Sequence, residues 1–82
     1  MWAIGTKVKI KYDDGFLSDL QSDLQQDISE RKTDEIVDAV ERGETFIVSS
    51  REKSFGETMY GLKLKRYKLP YLFGEERLEI IK

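Results

Sequence analysis

The sequence predicts a small α+β fold, and three observations predict it. Residues 3–12 and 58–68 alternate between apolar and charged side chains, the period of a strand with one wet face. Between them, residues 16–43 carry apolar side chains at helical spacing. The chain has 82 residues, enough for one hydrophobic core and no second domain. The expected order is one strand, two helices, then three or four strands, all in a single domain over 1–82.

On the first strand, residues 3–12, Ile4, Thr6, Val8, Ile10 and Tyr12 lie on one face and Lys7, Lys9 and Lys11 on the other. Asp13-Asp14-Gly15 then reads as a turn, with a glycine for positive φ and carboxylates to bond the local backbone. Ser18-Asp19-Leu20-Gln21 has the spacing of a capping box, which starts the first helix. At about 100° per residue, Leu17, Leu20, Leu24 and Ile28 share one arc, and Asp19, Asp23, Asp27 and Glu30 share a neighbouring one. Thr33 is the expected cap of the second helix, followed by Asp34 and Glu35 where the helix dipole favours negative charge. Ile36, Val37 and Val40 form its apolar side, Asp34, Asp38 and Glu41 its polar side, and Gly43 its end.

Residues 45–50 read as a short strand and residues 51–57 as a hairpin loop. In residues 58–68, Tyr60, Leu62 and Leu64 alternate with Lys63, Lys65 and Tyr67. Pro70 has no amide hydrogen and is expected to interrupt the ladder. A turn at residues 74–77 precedes a last short strand over 78–81. The expected core comprises Ile4, Val8, Ile10, Phe46, Val48, Leu62, Leu64 and Ile80.

The opening IGTKVKIKYDDG and the ending LPYLFGEERLEII resemble the first and last strands of small SH3-like barrels of bacteria and their phages. The opening carries a Gly-Thr-x-Val-x-Ile pattern common in such domains; the ending has an aromatic, an acidic turn and Leu-Glu-Ile-Ile. The resemblance covers about half of the chain and implies a small SH3-like β-barrel with a two-helix insertion after strand 1. Residues 16–43 depart from the pattern by placing an acidic helical insertion where such domains usually have a loop. Barrels of this kind bind proline-rich peptides, nucleic acids or other proteins, so the likeness implies a fold and leaves function open.

Charge is segregated along the chain. The net charge is −2, but residues 1–12 hold three lysines and no acid, residues 13–44 hold eleven acids against three bases, and residues 45–82 hold eight bases against five acids. Such segregation can produce a field with two poles, which bears on partner choice and association rate.

The chemistry is narrowed by composition. With no cysteine and no histidine, thiolate nucleophiles, imidazole bases, disulfides and ordinary zinc sites are excluded. The adjacent carboxylates Asp13-Asp14 and Glu75-Glu76 splay apart on a strand or turn, and glycosidase pairs need a cleft between them. Asp13-Asp14-Gly15 lacks the alternating oxygen ligands of a calcium loop. No catalytic residue, metal ligand or cofactor is therefore expected. The absence of a long apolar run or a basic leader points away from a membrane and towards the cytoplasm.

Two binding surfaces remain. The first is the acidic helical face of Asp19, Asp23, Asp27, Glu30, Asp34, Asp38 and Glu41, suited to a basic protein surface, including that of a DNA- or RNA-binding enzyme. Carboxylates four residues apart on a helix are about 6 Å apart along its axis, whereas a DNA strand carries a phosphate about every 3.4 Å. A DNA mimic would therefore need both helices. The competing account of the same face is a solvated surface that keeps the domain soluble. The second surface is Lys7, Lys9, Lys11, Lys63, Lys65 and Tyr67, with Trp2 nearby, which could follow a nucleic-acid backbone. Lysines on an open sheet also guard against edge-to-edge aggregation, and the acidic insertion opposes phosphate binding.

Overall fold

A computed structural model describes residues 1–81; Lys82, the end of the expected strand region, lies outside the described residues. Strand β1, Lys7–Ile10, is followed by helices α1, Asp14–Asp27, and α2, Glu30–Glu41. Strands β2, Phe46–Ser54, β3, Glu57–Leu64, and β4, Tyr67–Gly74, come next. A 3-10 turn at Glu75–Arg77 leads into β5, Leu78–Ile80. The sheet is antiparallel in the order β4-β3-β2-β1-β5. It is α+β as expected, and it is not closed into a barrel.

β1 is shorter than the alternation suggested because Gly5, at φ +97°, turns the chain just before it. Ile4 stands in that turn and is 61% exposed, so it is not a core residue. Ile80, at the end of edge strand β5, is 39% exposed and also leaves the expected core. Val8, Ile10, Phe46, Val48, Leu62 and Leu64 are buried as expected. Leu20 and Leu24 of α1 and Ile36, Ala39 and Val40 of α2 join them in one cluster, with Tyr60, Leu69, Phe73 and Leu78.

Both helices are capped earlier than expected, α1 at Asp13 rather than Ser18 and α2 at Ser29 rather than Thr33. Asp13 caps α1 by accepting from the Phe16 amide at 2.8 Å, so Asp13-Asp14-Gly15 opens the helix and Ser18 lies within it. Ser29 caps α2 by accepting from the Lys32 amide at 3.2 Å. Thr33 is instead a fully buried helical residue. The other end of α2 follows expectation: Gly43 has φ +71°, its amide donates to the Val40 carbonyl, and the Glu44 amide donates to the Ala39 carbonyl. This double bond pattern is a Schellman cap.

The strands differ from expectation at their turns. β2 and β3 pair through to Ser54 and Glu57, so the expected loop at residues 51–57 contracts to Phe55-Gly56. Both turn residues have positive φ, the signature of a type I′ hairpin. The second alternating stretch breaks at Lys65-Arg66, which joins β3 to β4. Pro70 stays within β4 because β4 is an edge strand whose register against β3 shifts between Gly61–Leu72 and Lys63–Lys68. That irregularity is where a residue without an amide hydrogen is tolerated.

Candidate functional site

The helices cover one face of the sheet and leave the other open. On α2, Thr33, Ile36, Ala39 and Val40 turn inward, and Glu30, Asp34, Asp38 and Glu41 are exposed. On α1, Asp19, Asp23 and Asp27 are exposed beside the buried Leu20 and Leu24. Among the described residues, none of these seven carboxylates forms an ion pair. The pairs present are Lys32–Glu35 at 3.1 Å, Arg42–Glu44 at 2.7 Å and Lys9–Glu79 at 3.9 Å.

The α1 stripe is not uniform. Each four-residue step on a helix overshoots a full turn by about 40°, so the series Asp19, Asp23, Asp27 drifts towards the apolar arc. Asp19 points furthest from the core side, and Asp27 arrives at the boundary with the sheet. There it accepts from the Tyr71 hydroxyl of β4, which also lies 2.7 Å from the Asp23 carbonyl oxygen. That hydrogen bond, with partial burial and the charges of Asp27 and Asp23, pushes the Tyr71 phenol up to about 12. Asp27 is thus part of the helix–sheet joint, contrary to the expectation that the whole stripe faces solvent. Tyr71 escaped the sequence reading, although the inward alternation of Leu69, Tyr71 and Phe73 is its signal.

The open sheet face is basic. Pairing places Lys7 opposite Ile47, Ile47 opposite Lys63, and Lys63 opposite Lys68, so these four form one row across β1, β2, β3 and β4. Lys9 lies on the same face beside Glu79. Lys11 follows the end of β1, and its amide donates to the Arg77 carbonyl at 2.7 Å. Lys65 is in the β3–β4 turn, outside the row, and Lys68 of β4 stands opposite Lys63 instead. Tyr67 pairs with the inward Leu64 and sits under the Lys32 ammonium, 4.7 Å from its ring centroid, away from the lysine row.

Trp2 is also committed elsewhere. Its ring stacks on Tyr60 with centroids 5.0 Å apart, and its amide donates to the Tyr60 hydroxyl at 3.0 Å. That hydroxyl in turn donates to Glu75 at 3.0 Å, which ties the N-terminal segment, β3 and the 3-10 turn together. Burial pushes the Tyr60 phenol up, and the Glu75 carboxylate adds to it.

Among the described residues, no group of three acids is placed to hold a metal ion, and no helix is long and apolar enough to cross a membrane. No protein family, curated protein or solved structure matches the chain.

Proposed function

We propose that the chain is a non-enzymatic protein-binding module whose acidic helical layer docks on a basic protein surface. Its most specific form is a phage-type, DNA-mimicking inhibitor that occupies the nucleic-acid face of a cytoplasmic enzyme. One observation carries this reading: the exposed carboxylates of α1 and α2 are free of ion pairs among the described residues, while the lysine row lies on the opposite face. Unpaired charge on this layer is mostly of one sign, with Arg31 as the exposed exception on α2, and its field steers a basic partner and raises the association rate. We read the sheet as an SH3-like barrel left open. The pairing of first and last strands, the 3-10 turn before the last strand and the helices inserted between β1 and β2 support that reading.

The test uses Asp19→Asn, Asp23→Asn, Asp34→Asn and Asp38→Asn together, leaving Asp27 to its bond with Tyr71. Wild-type protein and this variant are used to capture partners from a bacterial lysate at low and high salt. A captured nucleic-acid enzyme is then offered DNA in competition. Wild-type domain should displace the DNA, and the variant should not, at an unchanged melting temperature. Equal competition by the two proteins would sink the reading.

The row Lys7–Ile47–Lys63–Lys68 favours a second reading, nucleic-acid binding on the open sheet face. It requires direct binding of single- or double-stranded DNA or RNA that weakens steeply with salt and disappears in Lys7→Glu/Lys63→Glu.

A further inference from the structure

We infer that the groove between the start of α2 and the β3–β4 turn binds a nucleotide through its phosphate. The groove measures about 500 Å³ and is lined by Lys32, Glu35, Leu64, Lys65, Arg66 and Tyr67. That volume is in the range of small-ligand sites, about 300–1,000 Å³. Three cations converge there against one carboxylate. Lys32 is held 3.1 Å from Glu35, while Lys65 and Arg66 have no ion-pair partner among the described residues.

A comparison within the molecule shows why this groove differs from other basic surface. The groove beside Lys9, Lys11 and Arg42 is about 370 Å³ and includes Glu41 and Glu79. Its Lys9 lies 3.9 Å from Glu79 and its Arg42 lies 2.7 Å from Glu44, so acids within the chain already answer two of its three cations and leave Lys11 alone. At the β3–β4 turn the positive charge is left over.

Backbone conformation gives a second, independent indication. Lys65 has φ +56°, a left-handed geometry that glycine or asparagine adopts with least strain in a two-residue hairpin turn. A lysine held there keeps a cation at the groove mouth against local preference, and such strain concentrates at ligand sites. Arg66 beside it offers a planar fork that matches phosphate oxygens. Leu64 and Tyr67 supply the apolar and aromatic wall that a flat base needs and bare phosphate does not use. Glu35 is the built-in competitor, because Lys32 must leave it to reach an incoming phosphate. This inference does not rest on the acidic layer, whose binding residues are absent from the groove.

The experiment is an amide-resolved NMR titration of the whole chain with ATP, AMP, adenosine and inorganic phosphate. ATP should shift the amides of Lys32, Lys65, Arg66 and Tyr67 saturably, more tightly than adenosine or phosphate alone, and less so as salt rises. Arg66→Glu should weaken ATP binding at least about tenfold. Glu35→Gln should tighten it several-fold, an effect that a structural role for Glu35 would not produce. Lys65→Gly should melt at the same or a higher temperature because it relieves the turn, yet bind ATP more weakly. A 5′-phosphorylated tetranucleotide that binds better than ATP, with its 5′-hydroxyl form inert, assigns the site to strand ends; ATP binding as well or better assigns it to free nucleotides. The inference is overturned if these amides do not shift, if adenosine binds as tightly as ATP, or if the shifts map to Lys7, Lys63 and Lys68 and survive Arg66→Glu.

Discussion

The Tyr71 hydroxyl on β4 donates to the Asp27 carboxylate at the last residue of α1, joining the far edge of the sheet to the helical layer. The same hydroxyl reaches the Asp23 carbonyl at 2.7 Å, so one side chain meets the last turn of the helix at two points. The last turn of this helix has no basic residue, and the neutral phenol is what meets it instead.

This joint makes stability depend on alkaline pH. The folded-state phenol is raised from 10.0 to about 12, so its contribution is fully present below pH 10 and lost as pH rises through 12. Tyr71→Phe should remove that part of the alkaline loss. Asp27→Asn keeps an acceptor oxygen but not the charge, and should return the phenol towards 10. Tyrosinate absorbance followed against pH measures the titration, and melting temperatures across the same range measure the linkage. An unchanged phenol titration in Asp27→Asn would contradict the contact.

The caps of α2 provide a prediction of opposite signs. Thr33 Oγ1 is buried with no hydrogen-bond partner among the described residues. Thr33→Val keeps the shape and β-branching but removes the orphaned hydroxyl, so it should stabilise by about 1 kcal/mol. Ser29→Ala removes the observed cap and should cost about 1 kcal/mol. Were Thr33 the cap, as its position before Asp34 and Glu35 suggests, Thr33→Val would instead cost stability and Ser29→Ala would be near neutral. Urea melts of both variants decide it.

The edge of the core can be tested at two β-branched positions on the N-terminal segment, Val8 and Ile4. Val8 is fully buried, so Val8→Asp should cost several kcal/mol by placing an unpaired charge in the interior. Ile4 lies in an exposed turn, so Ile4→Asp should stay within about 0.5 kcal/mol of wild type. Thermal or denaturant melting separates the two.

The parts legible in the sequence were those set by a local period. Alternation in Lys7–Ile10 and Glu57–Leu64 located strand centres and the core side chains Val8, Ile10, Leu62 and Leu64, because burial on one face of a sheet imposes that period directly. Element ends were less legible. Ser18 and Thr33 have cap chemistry, but Asp13 and Ser29 have it too, and only packing of Phe16, Leu17 and Thr33 beneath the earlier turns selects between them. Of the candidate surfaces, exposure of the seven acids followed from helical spacing. The bond from Tyr71 to Asp27 and the row joining Lys7 to Lys68 depend on register between strands far apart in sequence, which no local pattern encodes.

The β2–β3 hairpin carries a residue that its own turn does not favour. Phe55 has φ +51°, is fully exposed and precedes Gly56 at φ +80°. A type I′ turn prefers asparagine, aspartate or glycine at its first central position, because a bulky side chain is strained at positive φ. The ring buries nothing in return, so local strain has no compensating contact within the chain. Phe55→Asn produces the Asn-Gly pair that this turn favours, and should raise stability by about 0.5–1 kcal/mol. It should also slow exchange of the ladder amides at the Ser54–Glu57 end of the hairpin, since the turn holds that end closed. Melting and amide hydrogen exchange measured on the same variant check both effects. A loss of stability instead would mean that the Phe55 ring packs on the hairpin in solution.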